Sequence, residues 1–187
     1  ERPQHAVTLH LLGHILLDRR DHQGALLRFA EAVALRPDRA SFHNSLGEGL
    51  RAAGQPSDAV TAFEAALAVK PELGAAWCNL GLAQLAVGAL DPAIEAFSNA
   101  IRFTRRAPEP HLGLGHALRA RGNLEGACSA FKRAARIAPG LAEAWMSLSA
   151  AREALGHTRQ AAAAAQRAIE ARPLTRKPAR RPNAIKV

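Results

Sequence analysis

The feature that most constrains this chain is a set of residue types that recur every 34 positions. Glycine, leucine, alanine and phenylalanine each keep this spacing along most of the sequence. The four series are Gly13, Gly47, Gly81 and Gly115; Leu12, Leu46, Leu80, Leu114 and Leu148; Ala25, Ala59, Ala93, Ala127 and Ala161; and Phe29, Phe63, Phe97 and Phe131. A fixed period with the same residue types at the same phases indicates a stacked array of repeats and not a single globular core. Such arrays usually bind other molecules on an extended surface and rarely catalyse reactions.

Each unit of this period has the pattern of two helices joined by a tight turn. Two apolar stripes with spacings of three and four residues fall in each unit, as on one face of a helix. In the first unit the stripes are Leu9, Leu12 and Leu16, and then Ala25, Phe29 and Ala32. Pro37 follows the second stripe and cannot continue a helix. The sequence therefore predicts an all-α solenoid of five helix-turn-helix units, at 6–39, 40–73, 74–107, 108–141 and 142–175.

The turn inside each unit is predicted from a second glycine series. These glycines end the first helices and are expected to take the left-handed conformation: Gly54, Gly88, Gly122 and Gly156. The first unit has Arg19-Arg20-Asp21 in this place. In the third unit we expect Asp91 to cap the second helix, with Pro92 as the first helical residue.

Two units depart from the pattern. Arg105 stands in the third unit where the other units have proline. The fifth unit has Ser149 in place of glycine and Ala165 in place of phenylalanine. Since terminal repeats are often atypical, the changes in the fifth unit indicate the end of the array. We expect the exposed end repeats to allow self-association end to end.

The net charge of +9 is concentrated near the C-terminus. Residues 172–187 contain six Lys or Arg and no acidic residue, which leaves 19 basic and 16 acidic residues in the rest. Residues 176–187, the basic segment, are also rich in proline, and we expect them to be disordered. The segment is either a solvated end or linker, or a tether to nucleic acid or an anionic membrane. Because it has no aromatic residue for base stacking, nucleic-acid binding is not favoured.

Composition also limits the compartment. No apolar stretch reaches the roughly 20 residues that span a membrane, and the two cysteines, Cys78 and Cys128, lie in different units and make no disulfide framework. These features favour a cytoplasmic protein in a reducing environment. The high content of alanine and arginine favours a bacterial source with a GC-rich genome.

The repeated residues resemble the tetratricopeptide repeat family, whose pattern is Trp-x-x-Leu-Gly, then Ala-x-x-x-Phe, then Pro. The best copy here is Trp77, Leu80, Gly81, Ala93 and Phe97. The resemblance implies a right-handed superhelix in which the first helices line a concave groove that binds a protein or peptide. Segments such as Leu11-Leu12-Gly13 and His43-Asn44-Ser45-Leu46-Gly47 are more weakly similar to the arrays that precede bacterial glycosyltransferases related to O-linked GlcNAc transferase. Those arrays often carry an asparagine just before each Leu-Gly pair, and here only Asn79 stands at that position.

The same resemblance assigns the residues of the groove. Nine side chains are candidates: Asn44, Glu48 and Arg51 in the second unit, Cys78, Leu82 and Leu85 in the third, and Leu112, His116 and Arg119 in the fourth. Together they predict an apolar floor between two mixed polar regions, which suits an amphipathic helix or an extended peptide. The alternative is that curvature buries Leu82 and Leu85 against neighbouring repeats. No lysine stands at the positions where co-chaperone relatives clamp a C-terminal carboxylate.

Sites for metals or catalysis have weaker support. His10 and His14 lie four residues apart, with Glu48 one unit further on, but a metal site needs three or four convergent ligands. Packing therefore explains the histidines better, and we expect no metal and no cofactor. The Gly113-Leu114-Gly115 segment lies within a helix pattern and lacks the strand that a phosphate loop requires. No arrangement of a nucleophile and a base is present in the sequence.

These patterns favour a non-enzymatic scaffold that binds a protein or peptide segment in its concave groove. Two alternatives stay open. One is the substrate-recognition arm of a larger glycosyltransferase-like enzyme, and the other is an adaptor tethered through the basic segment.

Overall fold

A computed structural model describes residues 3–171, and this part of the chain is helical throughout. Its ten helices are α1 Pro3–Asp18, α2 His22–Leu35, α3 Ala40–Ala52, α4 Pro56–Val69, α5 Gly74–Ala86, α6 Leu90–Phe103, α7 Glu109–Ala120, α8 Leu124–Ile137, α9 Ala142–Ala154 and α10 Thr158–Ala171. Two helices fall in each predicted unit, and α1 begins before residue 6. The end of the fifth unit and the basic segment lie outside the described residues, so the tether hypothesis stays a prediction.

The helices stack into a right-handed α-solenoid, as the sequence predicts. Each helix packs on its neighbours in sequence, and the first helices of adjacent units also contact each other, α1 with α3, α3 with α5 and α5 with α7. Between residues 3 and 171 no two second helices pack together to a comparable extent. The first helices therefore lie on the inner, concave side of the curve.

A phenylalanine ring against a glycine joins the two helices of each of the first four units. Phe29, Phe63, Phe97 and Phe131 are fully buried. A Cβ atom built on Gly81 would lie 2.8 Å from Cε1 of Phe97, so only glycine leaves room for the ring. The ring of Phe97 also fills the space beside Gly113 of the next unit. One side chain thus fixes both the packing within a unit and the contact with its neighbour.

The turns confirm the predicted glycine caps. The four glycines of this series, Gly54, Gly88, Gly122 and Gly156, have φ angles of +77°, +80°, +89° and +77°. Arg20 takes the same conformation in the first unit, with φ at +62°. The Asp21 side chain then accepts a hydrogen bond from the Gly24 amide and caps α2.

The predicted cap at Asp91 is wrong. Helix α6 begins at Leu90, after Ala89, so Asp91 lies within the first turn and makes no cap hydrogen bond. Its carboxylate instead pairs with Arg121 of the next unit, with Oδ1 3.0 Å from Nε. An aspartate in the first turn still has a favourable interaction with the positive end of the helix dipole.

Within residues 3–171 no helix is both long enough and apolar enough to cross a membrane. Cys78 and Cys128 are both free thiols.

Replacing Gly47 with alanine should destabilise the array, because the new Cβ atom would lie 2.5 Å from Cε1 of Phe63. Overpacking a filled core costs about 1–3 kcal/mol, more than the better helix propensity of alanine recovers. The urea midpoint measured by circular dichroism should fall. Gly140→Ala is the matched control, since no atom lies within 4 Å of a Cβ built there. In a Phe63→Leu background the penalty should largely disappear, and an undiminished penalty there would contradict this role of the ring.

Candidate functional site

The middle of the concave face is an apolar strip on α5. Leu82 is its largest exposed side chain, at 37% exposure, with Ala75 and Ala86 exposed beside it. Cys78 and Leu85 are half-buried and pack on the core around Phe97. Of the two leucines, curvature therefore covers most of Leu85 and leaves Leu82 open to a ligand.

A hydrogen-bonded cluster borders the strip on the side of the second unit. The Glu48 Oε1 atom accepts from the Asn44 amide at 2.8 Å and from the Asn79 amide at 2.9 Å. Asn79 also donates to the Asn44 side chain, at 3.1 Å. None of the ion pairs among residues 3–171 involves Glu48 or the exposed Arg51. A half-buried carboxylate is thus held in place by neutral amides on the concave face.

Asn79 was not among the groove residues predicted from the sequence. The family positions that face the groove do not include the position of Asn79, which points toward the preceding unit. Its place as the one asparagine before a Leu-Gly pair was the available signal. The bonds from Asn79 to Asn44 and Glu48 cross between units, and a pattern of residue types does not predict such contacts.

The histidine pair of the first unit forms a similar cluster. The Nε2 atoms of His10 and His14 are 3.2 Å apart, and the Ser45 Oγ atom lies 2.8 Å and 3.0 Å from them. His10 also stacks on Phe42, with ring centroids 4.6 Å apart. Burial lowers the pKa of His10, and the neighbouring His14 lowers it further. Glu48 does not complete a ligand set, and residues 3–171 contain no group of three or more His, Cys, Asp or Glu side chains placed to hold a metal.

On the other side of the strip, the fourth unit presents His116 and Arg119. Arg119 is exposed, whereas Leu112 packs into the junction with the fifth unit beside Trp145. His116 Nε2 lies 3.7 Å from Glu143 Oε1. Burial lowers the pKa of His116 and Arg119 lowers it further, while Glu143 acts in the opposite direction. The positive charge on this side therefore resides mainly on Arg119 at neutral pH.

The chemistry of the concave face favours recognition. Cys78 is its one thiol within the described residues, and burial raises the pKa of that thiol to about 11, with Glu109 adding to the effect. A protonated, half-buried thiol is a poor nucleophile. What the face offers is an apolar contact at Leu82, a fixed carboxylate at Glu48 and a cation at Arg119.

Solved structures with the same architecture include several bacterial proteins. MamA from Desulfovibrio magneticus RS-1 is 19% identical, with a TM-score of 0.80 over 89% of this chain and 94% of that chain. YrrB, described as a tetratricopeptide repeat protein with an unusual peptide-binding site, is 21% identical, with a TM-score of 0.72 over 90% of this chain and 87% of its own. PilF from Pseudomonas aeruginosa is 15% identical, with a TM-score of 0.82 over 91% of this chain and 78% of its own. At these identities the similarity shows the fold alone.

The sequence identifies the family of the chain through a repeat profile and not through a single relative. No curated protein matches the chain. The profile of the tetratricopeptide repeat matches residues 10–54, 46–109 and 93–142. These overlapping matches extend over well more than half of the sequence, and the chain therefore belongs to the tetratricopeptide repeat family.

Proposed function

We propose that this protein is a non-enzymatic scaffold that binds a segment of another protein along the concave face of its array. The observation that carries the proposal is the exposed apolar strip at Leu82, which lies between the fixed carboxylate of Glu48 and the cation of Arg119. An apolar anchor with polar groups around it is the usual composition of a peptide-binding surface.

The charges on either side of the strip give the ligand a direction. Glu48 accepts hydrogen bonds from neutral amides only, so a basic side chain placed beside it would add a charge-assisted hydrogen bond. An acidic side chain would suit Arg119 on the opposite side. The expected ligand is therefore a peptide with a central apolar residue, a basic residue toward the second unit and an acidic residue toward the fourth.

The rigidity of the solenoid supports the same function. The first helices that carry the groove are held by the buried phenylalanine rings, so little ordering of the protein is needed when a ligand binds, which lowers the entropy cost of association. The peptide-binding site named for YrrB, a protein of the same fold, supports peptide binding by an array of this kind.

The test begins with peptides selected from a random 12-residue phage library on the immobilised full chain. Fluorescence anisotropy then measures their affinity for variants. Leu82→Glu should weaken binding at least tenfold, roughly 1.4 kcal/mol, because it places a charge in the apolar contact. Glu48→Gln should weaken the binding of only those peptides that contain a basic residue.

Leu27→Glu is the matched control for this experiment. Leu27 is 52% exposed, more than Leu82, but lies on the second helix α2, away from the concave side. The affinity of the Leu27→Glu variant for the selected peptides should stay within about twofold of that of the unmodified chain. Equal binding by Leu82→Glu and the unmodified chain, with circular dichroism showing that both are folded, would contradict the proposed groove.

Alkylation of Cys78 gives an independent measure of groove occupancy. Because burial raises the pKa of this thiol to about 11, iodoacetamide at pH 8 should modify it at least about tenfold more slowly than it modifies glutathione. A bound peptide should slow the reaction further, and mass spectrometry of proteolytic fragments distinguishes Cys78 from Cys128. Modification at the rate of a free thiol, or a rate unchanged by bound peptide, would be evidence against this description of the strip.

A further inference from the structure

Four arginine side chains line one concavity between the α6–α7 turn and α8. Its volume is about 430 Å³, and its lining consists of Arg105, Arg106, Arg133, Arg136 and Ile137. No carboxylate within residues 3–171 lies at ion-pair distance from any of these guanidinium groups. Four cations are thus gathered around one space without a compensating charge at hand.

The same junction departs from the others in its hydrogen bonding. At the other three junctions a ring nitrogen donates to the carbonyl oxygen of the unit-ending proline, at 2.7–2.9 Å: His43 to Pro37, Trp77 to Pro71 and Trp145 to Pro139. Here Arg105 replaces the proline, and the equivalent ring, His111, makes no such bond. Burial lowers the pKa of His111, and Arg133 lowers it further. A local break in a regular pattern without a structural gain is typical of a functional site.

We propose that this concavity binds a small soluble ligand that carries phosphate groups. A guanidinium group presents two parallel N–H donors that match the oxygens of a phosphate. The volume lies within the usual range for small-molecule sites, and Ile137 adds an apolar contact for the rest of the ligand. Bound anions would also relieve the repulsion among the four cations.

The probe for this site is pyrophosphate, titrated into the full chain by calorimetry at constant ionic strength. Arg105→Gln/Arg133→Gln should weaken binding at least tenfold, because one guanidinium is lost from each side of the concavity. Arg39→Gln/Arg159→Gln removes the same charge elsewhere and should leave affinity within twofold. An equal loss in both double variants, or no binding of pyrophosphate at millimolar concentration, would overturn the proposal.

Two further probes separate possible sources of the phosphate. Inorganic phosphate should bind more weakly than pyrophosphate, since it reaches fewer of the four arginines. Vesicles with phosphatidic acid should show no dependence on Arg105 and Arg133 beyond that of the control variant. Vesicle binding that needs these two arginines, in the absence of pyrophosphate binding, would assign the surface to a membrane and contradict a small soluble ligand.

A separate observation concerns the two ends of the array. On α1, Leu11 is 57% exposed and Ile15 is 50% exposed. The equivalent residues of later first helices are smaller and face the preceding unit: Ser45, Asn79, Gly113 and Ser147 at the phase of Leu11, and Gly49, Ala83, Ala117 and Ala151 at the phase of Ile15. At these two positions α1 therefore carries bulkier and more apolar side chains than any later first helix does.

At the opposite end of the array, a small residue stands where the other units have a large ring. Ala165 on α10 is exposed at the phase where the other units have a fully buried phenylalanine. On α9, Met146 is 50% exposed and Ala150 is also exposed. Inside the array these two phases contact the next unit, through polar side chains such as Asn44 and Glu48 or through an apolar one such as Leu112. The last unit thus has a gap where the other units have a ring, and an exposed apolar patch at two phases that contact the next unit inside the array.

The sizes at the two ends are complementary. Inside the array a small first-helix residue meets a large ring, and a Cβ built on Gly49 would lie 3.2 Å from Cδ2 of Phe29. If α1 of a second molecule followed α10 with the same geometry, Ile15 would meet Ala165 and Leu11 would meet Met146. Ile15 and Ala165 would again pair a large side chain with a small one, with the sizes exchanged between the two helices. Leu11 and Met146 would pair two apolar side chains.

The geometry points to head-to-tail stacking, in which α1 of one molecule packs on α9 and α10 of another copy and continues the solenoid. Such a contact leaves a free head and a free tail at every step, so it forms open chains. Charge opposes it at one point. Arg19 and Arg159 stand at the phases where Arg121 and Asp91 form an ion pair inside the array. Salt screens that repulsion, so added salt should strengthen the association.

Sedimentation velocity of the full chain between 10 and 200 µM tests the stacking. The unmodified protein should show a rising weight-average mass with concentration and with salt. Ile15→Glu blocks the head and Met146→Glu blocks the tail, so each variant alone should be monomeric, while Leu27→Glu should associate like the unmodified chain. A mixture of the two blocked variants should form dimers and nothing larger, because one intact head and one intact tail remain.

The mixture also separates this arrangement from others. A head-to-head contact would leave Met146→Glu dimeric on its own, and an unspecific apolar contact would respond equally to Leu27→Glu. A monomeric unmodified chain at every concentration and salt level, or a mixture that stays monomeric, would overturn the proposal.

Discussion

The contact on which the whole structure depends is a buried phenylalanine ring packed against a glycine. It sets how closely the two helices of a unit approach, because a single methyl group at Gly47 or Gly81 would collide with the ring. The ring also reaches the next unit, as Phe97 does at Gly113, so the spacing inside one hairpin determines the step to the following one. Repeated four times, this contact holds the first helices together on the inner side and produces the curvature that makes a concave face.

That frame leaves many inward positions of the first helices only half-buried, and their chemistry varies from unit to unit. Histidines with a serine occupy them at the first junction, and asparagines with a glutamate at the second. The strip at Leu82 follows. The residues that could recognise a ligand also bridge adjacent units, so recognition and stacking share the same side chains. Substitutions in the groove are expected to affect both, which is why variants need a check of folding.

Periodicity in the sequence determines most of the fold. The helices, their left-handed caps and the buried phenylalanines each repeat, and even Arg20 adopts the backbone conformation that its phase demands. The cap at Asp91 could not be predicted, since α6 begins at Leu90, two residues before Pro92, and this moves the Asp91 side chain from the cap into the first turn. The cluster at Asn79 and the four arginines near α8 are also absent from the pattern. They depend on distances between side chains in different units or turns, and a period in the sequence does not fix such distances.

The central claim is that ligands bind on the concave side of the first helices. Methyl chemical-shift mapping of the full chain with a selected peptide tests it most directly, because leucines are spread over both faces. The account predicts that Leu82 and Leu85 shift most while Leu27 and Leu35, which lie on a second helix, stay unchanged. Shifts confined to Leu27 and Leu35, or to Leu11 and Leu12 at the end of the array, would contradict it.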